Sequence, residues 1–406
     1  MIRLALLLTL AASLGAGEPQ WPQWRGPSRN GTIAAAATPA WPAAWKRAWR
    51  TDLGEGYSSP VVSNGRVFVH SRTDPEEIVT AIDLATGKLL WQQKYTSPFD
   101  KNQYAKSMAK GPHATPLVAG DRLVTVGGSG IVSAWNVATG ALAWRKDYSS
   151  IVDLSKLFTG TAASPLLEGG AAIVQVGSDV HGGRILALDP QTGAERWTWK
   201  GKGPGYASPV VFAAAGTRQI ATMTNGSIEG LDAKTGASLW SMPFPDDWHE
   251  NIVTPIWTGT HLIVSGTRAG THAYSLAQTG GKWQATVAWK NPDVAMYMST
   301  PVLANGILYG LSSRKRGQFV AIDAATGTLK WATEGRATNH ASILLTPSHV
   351  LLLTTAGELV LVKPTAEKYE EERRWTIADS ETWAVPVVLA EGLIVRDASG
   401  VMKLIP

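Results

Sequence analysis

Ala321-Ile322-Asp323-Ala324-Ala325-Thr326-Gly327-Thr328-Leu329-Lys330-Trp331 decides the fold, because its pattern, Ala-x-Asp-x-x-Thr-Gly-x-x-x-Trp, recurs along the chain. The best copies are Ala81-Ile82-Asp83 with Gly87 and Trp91, Ala187-Leu188-Asp189 with Gly193 and Trp197, and Gly230-Leu231-Asp232 with Gly236 and Trp240. Ala134-Trp135-Asn136, with Gly140 and Trp144, puts Asn in the Asp position, and two worn copies end at Trp289 and Trp375. The Asp is suited to accept backbone N–H bonds in a turn, and the Gly supplies the positive φ that the turn needs. Trp is large and flat with a single N–H donor, a shape that wedges between neighbouring units.

Working outward, a Ser/Thr-Pro pair opens each unit, at Ser59-Pro60, Thr115-Pro116, Ser164-Pro165, Ser208-Pro209, Thr254-Pro255 and Thr300-Pro301, with weaker openings at Ser342-Ile343 and Val385-Pro386. Eight openings meet only seven closing Trp residues inside the units. The eighth is Trp49, about one unit ahead of Trp91, and the period from Trp49 to Trp375 averages about 47 residues. Within the unit that ends at Trp331, Pro301–Leu303, Ile307–Ser312, Phe319–Ile322 and Leu329–Trp331 read as four short strands with Asn305-Gly306 as a tight turn. Four-stranded units of this length are propeller blades. The expectation is an all-β, eight-bladed β-propeller of antiparallel blades, its last blade completed by an N-terminal strand around Trp45 to Asp52.

Composition agrees with a repeat protein. Of 406 residues only 17% are charged, Gly is 41, and Trp at 18 outnumbers Phe at 6, whereas charged residues usually make up about 25%. Cysteine is absent, which excludes disulfides, thiolate metal sites, iron–sulfur clusters, cysteine nucleophiles and a lipidated cysteine. The net charge of +5 is spread along the chain, Arg314-Lys315-Arg316 being the longest basic run, so no nucleic-acid partner is expected.

Met1-Ile2-Arg3, the apolar Leu4–Leu14 and Gly15-Ala16-Gly17 have the layout of a secretory signal, too short for a mature transmembrane span. The expected organisation is a signal peptide over 1–17, an extension over 18–44 carrying Trp21-Pro22-Gln23-Trp24-Arg25-Gly26-Pro27, and the propeller over 45–406. The protein is expected to be exported, periplasmic or extracellular, and monomeric.

The repeat resembles that of the pyrroloquinoline-quinone-type (quinoprotein-like) β-propellers, and the Trp21–Gly31 stretch resembles a leader of exported bacterial proteins of this type. The resemblance implies one of two branches. Quinoprotein dehydrogenases hold the quinone between a Trp and a ring made by adjacent cysteines, and use calcium bound by Glu, Asn and Asp together with a catalytic Asp. BamB-like propellers of the outer-membrane β-barrel assembly machinery are non-catalytic. With no cysteine the ring cannot form, and no catalytic Asp aligns. Glu250 and Asn251 are the nearest stand-ins for calcium ligands, in Asp246-Asp247-Trp248-His249-Glu250-Asn251. The chain also departs from BamB-like proteins in lacking their lipid-bearing cysteine. Nor is there a Gly-x-Ser-x-Gly, a His-Glu-x-x-His or a phosphate-cradling Gly loop. The expectation is a scaffold with no catalytic residue, no metal and no cofactor, which binds an envelope protein or an anionic small ligand. The alternative is a dehydrogenase of alcohols or sugars using pyrroloquinoline quinone (PQQ) and calcium.

A propeller's ligands meet it where the loops leading into the innermost strands and the loops between second and third strands share one face. The first set is read three residues before each motif Pro or its equivalent: Tyr57, His113, Ala162, Tyr206, Ile252, Met298, His340 and Trp383. The second set, at the ends of second strands, includes Arg72, Arg268 and Arg314. The predicted ligand-binding mouth is therefore Tyr57, Arg72, His113, Tyr206, Arg268, Arg314, His340 and Trp383, with His249 and Asn251 from the longer loop; its guanidiniums suit carboxylates. The Asp100–Gly111 insertion adds Lys101, Lys106 and Lys110 on the same face.

Overall fold

In the computed structural model, residues 20–406 are described except 101, 103, 104, 106, 107, 247, 249 and the side chain of Arg316. The described residues form eight four-stranded antiparallel sheets. Seven are built from consecutive strands. Blade 1, for example, is Val61–Ser63, Arg66–Thr73, Glu76–Asp83 and Leu89–Thr96. Blade 8 takes Val387–Leu389, Gly392–Arg396 and Gly400–Ile405 from the C-terminus, and its outermost strand is Lys46–Asp52, paired Asp52 to Gly400 and Lys46 to Ile405. The closure expected from the surplus Trp is the one observed.

The repeated residues do what their chemistry requires. Asp83 Oδ1 accepts from the backbone N–H of Ala85 at 3.1 Å and of Thr86 at 2.8 Å, and from the Thr86 hydroxyl at 2.7 Å. Gly87 then turns the chain at φ +71°, and a Cβ there would stand 2.7 Å from the ring of Trp49, which belongs to the preceding blade. Trp91 on Gly140, Trp144 on Gly193, Trp197 on Gly236 and Trp289 on Gly327 repeat this contact. The indole N–H of Trp49, Trp91, Trp144 and Trp289 donates to the carbonyl of the residue after the turn Asp or Asn in the next blade (Leu84, Val137, Pro190 and Ala324), at 2.8–3.1 Å. Each Trp thus ties the outer strand of one blade to the last turn of the next. Asp189, Asp232 and Asp323 hold their turns as Asp83 does.

Three Trp residues vary the scheme. Trp240 bonds Gln219 of its own blade at 2.7 Å. Blade 5, which it faces, joins its third and fourth strands at Thr279-Gly280-Gly281-Lys282 and has no Asp-x-x-Thr-Gly turn. The ring folds across Gly230, where blades 1, 2, 3 and 6 have Ala, and a Cβ would overlap it. Trp331 donates to Thr365 and Trp375 to Ala43.

Candidate functional site

The Ser/Thr-Pro openings form a belt around the axis. The backbone N–H of Val385 donates to Ser59 Oγ at 2.8 Å and that of Ser59 to Thr115 Oγ1 at 3.1 Å. The belt continues from Thr115 to Ser164, Ser164 to Ser208, Ser208 to Thr254 and Thr254 to Thr300, at 3.0–3.2 Å. Proline after each hydroxyl fixes φ and starts the innermost strand. Small hydroxyl residues are needed here because they bond the neighbouring blade without filling the channel. Ser342, in blade 7, keeps the hydroxyl, but its Oγ is buried without a partner.

One end of the channel is closed by the extension. Trp21 pairs with Val62 in both directions at 2.7 and 2.9 Å, Pro22 O accepts from Val118, and Gly31 and Ile33 pair with Leu345. The segment thereby spans from blade 1 to blade 7. Two arginines fasten it. Arg25 donates to Thr300 O and Pro301 O, both at 2.8 Å, and to Asn30 O at 3.1 Å. Arg29 donates to Ser164 O at 2.6 Å, Pro165 O at 2.7 Å and Pro209 O at 2.9 Å. Gly31, at φ +79°, gives the Arg25 guanidinium room that a side chain would take. Trp24 lies against both guanidiniums, 5.5 and 5.6 Å from the ring centre. Burial pushes both arginines down to about 9, so they remain charged at neutral pH.

Above this floor lies an axial cavity with an open mouth. All eight inbound-loop positions read from the sequence, Tyr57 through Trp383, line it, with the belt hydroxyls, Trp24 and Arg25 beneath. Trp383 stacks with Tyr57 at 5.2 Å and with His340 at 5.1 Å, and His113 meets Tyr57 edge-on at 5.0 Å. The Tyr57 and Tyr206 hydroxyls accept from Ala109 N–H at 3.0 Å and Phe158 N–H at 2.6 Å. Burial raises both phenols' pKa values, so they stay protonated.

His340 is buried, with Nε2 3.2 Å from Trp383 O and Nδ1 3.2 Å from Ser299 Oγ. The carbonyl requires Nε2–H, and at neutral pH the ring carries that proton alone, which leaves Nδ1 the acceptor. Burial pushes its pKa down to about 4. Because the folded value lies below the unfolded one, near 6.5, the unfolded chain takes up the proton first as pH falls. Between pH 7 and 4.5 this residue should therefore remove about 2 kcal/mol of stability. Urea unfolding of the protein and of His340→Gln at both pH values checks this; equal pH dependence in the two would refute it.

The other predicted mouth residues lie elsewhere. Arg72 is buried with Nε 2.5 Å from Asp74 and one terminal nitrogen 4.0 Å from Glu77, and it is absent from the cavity lining. Arg268 and Arg314 are exposed and also outside it, Arg314 donating to Pro292 O at 3.2 Å. Second strands stand one strand further from the axis, so Arg72 and Arg314 serve the neighbouring loops. Asn251 is buried and holds the Thr224 and Phe244 carbonyls at 2.8 and 3.0 Å. His249, Lys101 and Lys106 lie outside the described residues, and Lys110 pairs with Asp74. Glu250, its pKa raised by burial, bonds Tyr297, while Asp246 caps the N–H groups of Trp248 and Glu250.

A quinone with calcium finds no matching donors here. No carboxylate is among the described lining residues, so the cation would have no anionic ligand. Trp383 is already stacked with both Tyr57 and His340. No cluster of three or more metal-ligating side chains occurs among the described residues, and no described helix is long and apolar enough to cross a membrane.

Comparison with known proteins follows the same lines. The BamB protein of Yersinia pestis, an outer membrane protein assembly factor, is 24% identical over 261 residues, 64% of this chain and 60% of that protein. The crystal structure of BamB from Moraxella catarrhalis superposes with a TM-score of 0.62 at 18% identity, covering 89% of this chain and 97% of that one. The quinohemoprotein alcohol dehydrogenase of Comamonas testosteroni gives 0.68 at 15% identity over 96% of this chain and 81% of that one. At such identities the structures establish a shared fold and leave chemistry aside. The sequence model of one family, described as outer membrane protein assembly factor BamB, matches residues 29–210 and 224–374, well over half of the chain. This chain belongs to that BamB family of PQQ-like β-propellers.

Proposed function

We propose that this protein is an exported, monomeric, non-catalytic scaffold of the cell envelope that contributes to outer membrane protein assembly. Family membership supports this reading, and one observation carries it against the dehydrogenase. The cavity lining, where a quinoprotein-like fold would hold its cofactor, includes no described carboxylate, Glu381 lying outside it as the acceptor of the Trp383 indole N–H, and Trp383 is already stacked with Tyr57 and His340. Residues 1–17 act as the export signal in this proposal, and 18–44 as the extension that closes the channel.

In the native bacterium, deletion of the gene should lower the amount of folded outer-membrane β-barrel proteins, and the exported chain should cross-link to a component of their assembly. Normal barrel levels without such a cross-link would overturn the scaffold. Protein incubated with PQQ and calcium should reduce a dye with alcohols or sugars no faster than a protein-free blank. Turnover dependent on both additions would establish the dehydrogenase instead.

A second part of the reading is an anionic small ligand at the mouth, favoured by the two buried guanidiniums of the floor.

A further inference from the structure

We propose that the axial cavity binds an amphiphilic carboxylate, its anionic head on the floor formed by Arg25 and the hydroxyl belt and its apolar body against the walls above. This rests on the ligand half of the proposed function and is independent of the partner half.

The floor is rich in donors and poor in acceptors. Arg25 and Arg29 are buried at 2% and 6% exposure, and among the described residues neither has a carboxylate within ion-pair distance. Their bonds go to neutral carbonyls alone, which leaves two positive charges in the axis without a counter-ion. Such charges are strongly disfavoured unless an anion accompanies them. Arg25 lines the cavity and its Nε–H is buried without a partner.

The belt adds to this. Each of its oxygens, from Ser59 to Thr300, accepts an N–H from the neighbouring blade, so each hydroxyl proton remains to be donated, and no described acceptor takes it. Ser342 Oγ, also in the lining, has no partner at all. An ionised carboxylate is acceptor-only and takes several donors at once, which matches this floor. The walls select the rest of the molecule. Met108, Phe158, Ile252 and Met298 line the cavity beside the belt, and Ile343 and Val385 add apolar surface at the belt itself, where burial favours a hydrocarbon or aromatic body and disfavours a strongly hydrated phosphate. A metal cation or an ammonium ligand would meet Arg25 with no described carboxylate to offset it.

Such a head has two sources, a free organic acid or the C-terminus of a peptide. Calorimetry on the intact protein at pH 7 would use 3-phenylpropionate, its amide, and Gly-Gly-Leu with a free or an amidated C-terminus. The acids should bind about tenfold or more tightly than the matching amides. Tighter binding of the free tripeptide assigns the body to a peptide, and tighter binding of 3-phenylpropionate to a free acid.

Because Arg25 also fastens the floor, the decisive variants lie elsewhere. Ser342→Ala removes a hydroxyl that holds nothing else and should weaken binding severalfold. Ala162→Glu places a carboxylate on the half-exposed cavity wall and should abolish binding with the thermal midpoint little changed. Equal affinity for acid and amide, no binding of either acid, or unchanged affinity in Ala162→Glu would overturn the proposal. These results leave barrel assembly and cross-linking untouched, so failure of the ligand reading is distinguishable from failure of the scaffold.

Discussion

Replacing Arg29 with Met should lower the unfolding free energy by about 3–5 kcal/mol. One guanidinium holds three carbonyls, those of Ser164, Pro165 and Pro209, from two different blades, all at 2.9 Å or less. Met keeps much of the volume, so the loss isolates the bonds. Three buried acceptors are left without donors, each worth about 1–3 kcal/mol. Part of that sum is returned, because the buried charge no longer has to be desolvated; burial is what depresses the Arg29 pKa to about 9. The bonds outweigh the desolvation because the guanidinium fork meets its three acceptors without rearrangement. Arg29→Lys, with a compact head that cannot span two blades, should fall between. Urea unfolding measures all three proteins. A Met variant as stable as the native protein would show that strand pairing at Val62 and Leu345 holds the segment without its arginines.

That segment shows where sequence reading ran out. The blades were legible because Asp-x-x-Thr-Gly is turn chemistry complete within five residues, and the Trp that follows needs only the next copy of the same turn. The cavity lining was legible for a related reason: a fixed offset from the Ser/Thr-Pro pair carries Tyr57, His340 and Trp383 to one level of the axis in every blade. Arg72, Arg268 and Arg314 misled because the same offset argument, applied one strand further out, gives the position but not the direction of a long side chain. Arg72 turns to Asp74 and Glu77, which only the neighbouring loop supplies. The hydroxyl of the Ser/Thr-Pro motif was visible in every copy, yet its bond is to the next blade, about 45 residues away, and no local rule predicts it. Arg25 and Arg29 were harder still. Apart from Asn30, their partners lie 135 residues or more along the chain, and two arginines in a Gly- and Pro-rich stretch carry no periodicity to mark them.

The wedge should show itself as energetic coupling between Trp49 and Gly87. Trp49→Ala empties a buried indole site and strands the Leu84 carbonyl, a loss of about 3–5 kcal/mol. Gly87→Ala is destabilising for two separable reasons. The residue sits at φ +71°, which disfavours any side chain by about 1–2 kcal/mol, and its new Cβ would stand 2.7 Å from the Trp49 ring, adding about 1–3 kcal/mol of overpacking. Only the second reason depends on Trp49. In the double variant the clash disappears while the φ strain remains, so the combined loss should fall short of the sum by about 1–3 kcal/mol. Pairing Gly87→Ala with Trp240→Ala supplies the control, since Trp240 bonds within its own blade and should add to Gly87→Ala within about 0.5 kcal/mol. Additivity at Trp49 and Gly87 would mean that the Trp does not join the blades. The site matters beyond one contact, because Trp49 lies on the N-terminal strand that completes blade 8 while Gly87 belongs to blade 1. Coupling there measures the seam that closes the ring, and loss of that seam exposes the unpaired edge of Gly400–Ile405 to aggregation.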